Sequence, residues 1–207
     1  MLLVLVLAGG FPATPQVISD LLVFLSVYAN TSESSKLQVV QGCKVIYDSS
    51  SDFEETLSSK IERGFAAEEG SIANDFGYSL LLAHRAGSGR ILLFASGGSP
   101  QNFIKCAFTA RKWGIAVDCV TPASGFVSEM AGVLRGRCFS LEAGGSLFGF
   151  LLGLLGLDFG DYVEDSGTRV CSCHGNEIKV GFLCPICLGL YCKFVPLCRH
   201  CKTKFVF

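Results

Sequence analysis

Residues 2–8, Leu-Leu-Val-Leu-Val-Leu-Ala, form an unbroken apolar run closed by Gly9 and Gly10. A run without polar alternation is how a strand covered on both faces reads. A helical stretch over 16–29 follows a short loop, and then a polar turn at 30–35. Residues 36–41 and 44–47 read as two short strands around Gly42, a hairpin. Over 53–64 the apolar residues Phe53, Leu57 and Ile61 recur at helical spacing, with Gly64 placed as a C-terminal stop. Ser71 opens a second such helix, with Ile72, Phe76, Leu80 and Ala83 on one face. The compact strand 91–96 then leads through Gly97-Gly98 to Ser99, a good N-cap, and to Pro100 at the first helical position. That helix runs to about residue 112. A strand over 115–120, a helix over 126–134, a short strand over 138–141 and an apolar helix over 143–157 complete the pattern.

Strands that alternate with helices imply a mostly parallel α/β sheet with helices on both faces, and the hairpin adds one antiparallel edge. This body occupies residues 1–157. The acidic, glycine-containing stretch 158–169 reads as a linker, and a small cysteine-rich module fills 170–207.

Only 17% of the residues are charged, against about 25% in ordinary soluble domains. A membrane or a partner protein could take up the excess apolar surface. The run 2–8 lacks a basic residue before it and is short, so a buried strand explains it better than a signal peptide. The uncharged stretch 143–157 is shorter than the roughly 20 residues that a spanning helix needs. It reads as a helix buried on two sides, one against its own sheet and the other against a partner.

Charge and cysteines both concentrate at the C-terminal end. Residues 170–207 carry Lys179, Lys193, Arg199, Lys202 and Lys204 against Glu177 alone, a net +4, which leaves the rest of the chain at −5. Seven of eleven cysteines fall in 171–201, while Cys43, Cys106, Cys119 and Cys138 are scattered singly and read as small core residues. Clustering at one end favours metal over a disulfide framework. Cys184-Pro-Ile-Cys187 and Cys198-Arg-His-Cys201 are two Cys-x-x-Cys pairs separated by ten residues. Each pair can set two thiolates on one knuckle, and two knuckles close a structural zinc tetrahedron. Cys171, Cys173, Cys192 and His174 are left over as a candidate second metal site. Their other reading is as buried thiols that pack the knuckles. Phe182, Tyr191, Phe194, Phe205 and Phe207 interleave the module and are expected to form its core rather than a nucleic-acid surface.

Catalytic chemistry is not evident. The loop after the first strand, Ala8-Gly9-Gly10-Phe11-Pro12, is neither a P-loop nor a dinucleotide fingerprint, and it offers no hard-cation ligand. His84 is the body's one histidine, and no paired carboxylates suggest acid–base work. We read the chain as non-enzymatic.

The run 2–8, the helix 70–85 leading to Arg90-Ile-Leu-Leu-Phe94, the stretch 101–118 and above all 170–205 together resemble one family. It is the small von Willebrand A-like, 34-kilodalton subunit of the general transcription factor TFIIH. Cys-x-Cys-His, Gly-Phe-Leu-Cys-Pro-Ile-Cys, an isolated cysteine and a closing Cys-x-x-Cys carry most of the resemblance. It implies a von Willebrand A-like (Rossmann-like) domain followed by a four-cysteine zinc finger at Cys184, Cys187, Cys198 and Cys201. It also implies a nuclear, non-catalytic scaffold of the TFIIH core, serving RNA polymerase II initiation and nucleotide excision repair. The expected partners are the other core subunits, especially the 44-kilodalton one; neither direct nucleic-acid contact nor a membrane is expected. Two departures stand out. An A-domain adhesion site needs Asp-x-Ser-x-Ser after the first strand, where this chain has Ala8 and Gly9, and the chain is short for the family. Two rivals remain: a ring-like ubiquitin ligase adaptor using the cysteine module, and a membrane-anchored A-domain protein.

Overall fold

The computed structural model describes residues 2–8, 10–31, 35–49, 54–67, 71–87, 89–96, 100–123, 126–134, 136–156, 170–178, 181–184, 186, 189–199 and 201–204. The chain divides into two compact units, Met1–Asp165 and Ser166–Phe207. The linker expected at 158–169 lies outside the described residues.

In the first unit, β1 (Leu2–Leu7) is the central strand. It pairs in parallel with β2 (Lys36–Gln41) on one side and β4 (Gly89–Phe94) on the other, so Leu5 stands between Val39 and Leu92. β3 (Lys44–Asp48) pairs antiparallel with β2, while β5 (Ala116–Thr121) and β6 (Cys138–Ser140) continue the parallel side. The order is β3-β2-β1-β4-β5-β6. It is a doubly wound sheet whose one antiparallel strand is at the edge, the von Willebrand A-like arrangement.

Because alternate strand residues point to opposite faces, every position of β1 is buried. Leu3, Leu5 and Leu7 face a core made with α1 (Pro15–Thr31), α2 (Glu54–Ala66) and α6 (Leu147–Gly153). The opposite face is covered by α3 (Ile72–Arg85), α4 (Pro100–Trp113) and α5 (Phe126–Leu134).

Three expectations change. Gly64 does not stop α2, which continues to Ala66. A Cβ at Gly64 would lie 2.6 Å from the buried Leu7 Cδ1, so this glycine is where the helix crosses the first strand closely. The apolar helix expected over 143–157 is only Leu147–Gly153. Gly144 and Gly145 both have positive φ and delay its start until Ser146, whose Oγ accepts a hydrogen bond from the Gly149 amide at 3.1 Å. Its residues Leu147, Phe150 and Leu151 are buried in the chain's own core beside α1 and the sheet. The apolar excess of this segment is therefore absorbed within the domain, without a partner. Among the scattered cysteines, Cys119 and Cys138 are core residues on adjacent strands, but Cys43 is exposed.

Cys43 is exposed because it sits in the hairpin turn. Gly42 and Cys43 both have φ of 56°, as a two-residue type I′ turn demands. The carboxylate of buried Asp75, on α3, accepts from the Gly42 amide at 3.1 Å and the Cys43 amide at 2.6 Å. Asp75→Ala is expected to cost about 1–2 kcal/mol by removing both acceptors from a turn that water still reaches. Urea unfolding of the full chain would measure it. No loss of stability would mean that the turn holds itself.

At the other end of the sheet, Asp118 is fully buried and gathers a polar cluster. It forms an ion pair with Arg90 through Nε, a second bond from Arg90 Nη2 at 3.0 Å, and a bond from the Arg137 amide at 2.9 Å. The two guanidiniums then reach the end of α6, Arg90 to the Leu154 carbonyl at 3.1 Å and Arg137 to that of Gly153 at 3.2 Å. Cations belong at a helix C-terminus, where unpaired carbonyls carry partial negative charge.

Candidate metal centre

A doubly wound sheet places ligands beyond the C-terminal strand ends, where the strand order switches between β1 and β4. Here the described residues after β1 are small or apolar, while Ser96 after β4 and Thr121 at the end of β5 are polar. Ala8 donates its amide to Phe94 (3.0 Å), and Phe11 folds back so that its amide reaches the Ala8 carbonyl at 3.3 Å. The Phe11 ring is buried against Phe65 and Phe94, with centroids 5.5 and 5.4 Å away. Phe11 thus anchors the loop after β1 in the core. His84 stacks on Trp113 at 4.2 Å, which gives the lone body histidine a packing role.

The C-terminal unit is where ligand chemistry gathers. Its secondary structure is slight: β7 (Phe182–Leu183) pairs antiparallel with β8 (Leu190–Tyr191), and single bridges join Val170 to Glu177 and Leu197 to Lys204. Each of these three pairings closes a turn that begins with a cysteine. Cys171, Cys184 and Cys198 each donate the backbone amide to the carbonyl five residues on, at 2.9 Å, in Asn176, Gly189 and Thr203. Tight turns of this sort leave the first side chain and the one three residues later on the same side.

Two groups of side chains come together. Cys184, Cys198 and Cys201 have sulfurs within 4.8 Å of one another, and Cys184 Sγ lies 3.6 Å from Cys201 Sγ. The edge of a zinc–thiolate tetrahedron is about 3.8 Å from the usual bond length. Cys187, the fourth cysteine of the expected site, lies outside the described residues. The second group is Cys171, Cys173, His174 and Cys192, again with all ligand atoms within 4.8 Å. Here His174 Nδ1 is 3.2 Å from Cys173 Sγ, 3.3 Å from Cys192 Sγ and 3.6 Å from Cys171 Sγ. These groups could each hold a metal ion: their donors are soft sulfur and imidazole, the set that suits zinc. Hydrogen bonds with Cys173 pull the Cys171 thiol down, to about 5, and push the Cys192 thiol up, to about 11.

The reading of Cys171, Cys173 and Cys192 as buried packing thiols fits Cys171 and, in part, Cys173, which packs against Cys184, Tyr191 and Cys198, but not Cys192. Cys171 is buried, but Cys173 is only partly so and Cys192 is exposed. The aromatic core expected here reduces, among the described residues, to Tyr191, which packs with Cys184 and Cys198. Phe182 and Phe194 are exposed, their rings 6.1 Å apart. Phe205 and Phe207 lie outside the described residues. Cysteines take much of the place of an aromatic core in so small a unit: two of the three core members are Cys184 and Cys198.

The role of Tyr191 was not legible in the sequence. Its hydroxyl lies 3.2 Å from Cys198 Sγ and accepts the Arg199 amide at 3.0 Å, so it ties the third turn to the hairpin. Partners of this kind tune ligands, and their loss typically costs 10–100-fold in metal affinity. Tyr191→Phe is expected to weaken zinc retention at this group by about tenfold. Competition against a chromophoric chelator would measure it, and unchanged affinity would reduce the hydroxyl to a packing role.

No family model matches the chain. A curated relative, general transcription and DNA repair factor IIH subunit tfb4 of Schizosaccharomyces pombe, is 25% identical over 130 residues, covering 56% of this chain and 44% of its own. The chain therefore spans less than half the length of that relative. Among solved structures, the TFIIH p34 N-terminal domain aligns with 74% of this chain and 96% of its own, at 14% identity and a TM-score of 0.47. Proximal thread matrix protein 1 from the mussel byssus aligns with 75% of this chain and 43% of its own, at 14% identity and a TM-score of 0.45. The fold assignment rests on the strand order rather than on these superpositions. In sequence the chain resembles the Tfb4, or p34, subunit of TFIIH.

Proposed function

We propose that the chain is a non-catalytic structural subunit of the TFIIH core. In that role it supports RNA polymerase II initiation and nucleotide excision repair in the nucleus through protein–protein contacts. The observation that carries this reading is the sequence match to tfb4. The expected partners are the other core subunits, especially the 44-kilodalton one. Cys184, Cys187, Cys198 and Cys201 hold one structural zinc in this reading. Four thiolates leave no open coordination position, so the ion shapes the unit and performs no chemistry.

Affinity purification of the tagged chain from nuclear extract tests the proposal. The 44-kilodalton subunit and the rest of the core should co-purify at stoichiometric yield. Recovery of the chain alone, with no binding to the purified 44-kilodalton subunit, would sink it. One observation favours a second reading. The two ligand groups alternate along the chain, as in ring fingers, which keeps a ring-like ubiquitin ligase adaptor in play. Ubiquitin transfer in a reconstituted assay would be needed to promote it.

A further inference from the structure

The three cysteine turns of the C-terminal unit are closed in the same way. In each, the residue before the leading cysteine pairs with the residue six beyond that cysteine: Val170 with Glu177, Leu183 with Leu190, Leu197 with Lys204. In each, the cysteine amide reaches the carbonyl five residues on at 2.9 Å. The first and third share two further features. The residue four beyond the cysteine has positive φ, Gly175 at 72° and Lys202 at 59°, and its amide donates back to the cysteine carbonyl, at 2.9 and 3.0 Å. Such turns place ligands at the first and fourth positions. In the second and third those positions are Cys184 with Cys187 and Cys198 with Cys201; in the first they are Cys171 with His174. The first turn is therefore a Cys-x-x-His knuckle, which the neighbouring Cys173 disguises in the sequence as Cys-x-Cys.

We propose that this knuckle holds a second structural zinc ion, coordinated by Cys171, Cys173, His174 and Cys192 and interleaved with the four-cysteine site. Cys192 is delivered from outside the knuckle. It follows Tyr191 directly, and Tyr191 packs on the other ligand group. Consecutive residues at the end of β8 thus serve opposite sites, as the alternation of an extended chain requires. The Ser172 amide bonds the Leu190 carbonyl at 2.7 Å and fixes the first knuckle against that strand. Exposed Cys192 lies 3.5 Å from Cys173 Sγ and 3.3 Å from His174 Nδ1, within reach of one ion. The Cys171–Cys173 separation of 2.8 Å is shorter than a zinc tetrahedron edge and opens by about 1 Å on loading. Deprotonated thiols and a neutral imidazole supply the donors, so binding releases protons to solvent and needs no redox partner.

The proposal shares its segment with the four-cysteine reading, and the test separates them. Zinc per chain is counted by native mass spectrometry on the full chain purified under reducing, zinc-replete conditions. The expected count is two, falling to one in Cys192→Ser and to one in Cys184→Ser. A count of one that Cys184→Ser abolishes and Cys192→Ser preserves overturns this proposal and leaves the four-cysteine site standing. A count of one with the opposite dependence supports it and removes the other. No zinc, or a Cys171–Cys173 disulfide found by peptide mapping, overturns it. Should the serine variants fail to fold, cobalt(II) substitution of the wild type gives an independent reading. Three-sulfur, one-nitrogen and four-sulfur centres should appear together, and His174→Cys should shift the first toward the second at an unchanged count of two. A spectrum of four-sulfur sites alone in the wild type overturns the assignment.

Discussion

Removing zinc from the full chain is expected to unfold the C-terminal unit while the α/β domain stays folded. The described residues of that unit bury one small cluster, Cys184, Tyr191 and Cys198, and two of those three are proposed ligands. Its paired strands are two residues long, Phe182–Leu183 and Leu190–Tyr191. Such a unit cannot offset its chain entropy by apolar burial, which below about 40 residues rarely suffices without metal or disulfide. Structural zinc contributes roughly 10–16 kcal/mol to modules of this size, which is most of their folding free energy. The body draws its stability from a separate core around β1, α1, α2 and α6 and forms its own compact unit. Limited proteolysis during titration with a chelator reads both outcomes in one sample. Cleavage at Lys193, Arg199 and Lys202 should appear as zinc leaves, with the body fragment still protected. A C-terminal unit that remains resistant after its zinc content reaches zero would show that metal does not hold it.

Asp118→Ala should destabilise the body by about 3 kcal/mol. Asp118 is fully buried, and removing it leaves the Arg137 amide and the Arg90 guanidinium without their shared acceptor. Breaking a buried ion pair costs about 3–5 kcal/mol because the surviving charge is uncompensated. The lower end applies, since the Arg90 side chain is 24% exposed and water can reach it. The effect should extend to α6, because Arg90 and Arg137 also hold the Leu154 and Gly153 carbonyls. The replacement Arg90→Met/Asp118→Leu, which removes both charges together, should recover part of the loss. Urea denaturation of the three variants checks this, and an Asp118→Ala midpoint equal to wild type would refute the assigned role.

Much of the α/β body was legible because its signals are local. A strand covered on both faces must be apolar at each position, and Leu2–Leu7 is. Gly42 marked a turn by its place between two apolar runs, and the structure puts a type I′ turn there. The Cys-x-x-Cys pairs likewise show themselves by spacing alone. The first knuckle carries the same spacing, Cys171 to His174, but an extra cysteine between them hid it.

What local pattern could not give was which distant residues meet. Gly64 read as a helix stop because a glycine's sequence signal is the same whether it ends a helix or lets one approach Leu7. Nothing in the local pattern sets Asp75 or Asp118 apart, and only packing over separations of 33 and 28 residues buries them against the hairpin turn and Arg90. The apolar stretch around α6 pointed toward a partner until the sheet and α1 were seen to cover it. The zinc-type cysteines were evident from the chain itself, since short-range spacing sets which thiols share a turn. The same spacing left Cys171, Cys173, His174 and Cys192 over as a second group, but that these four meet was decided by tertiary structure, because Cys192 reaches His174 only when β8 lies beside the first knuckle.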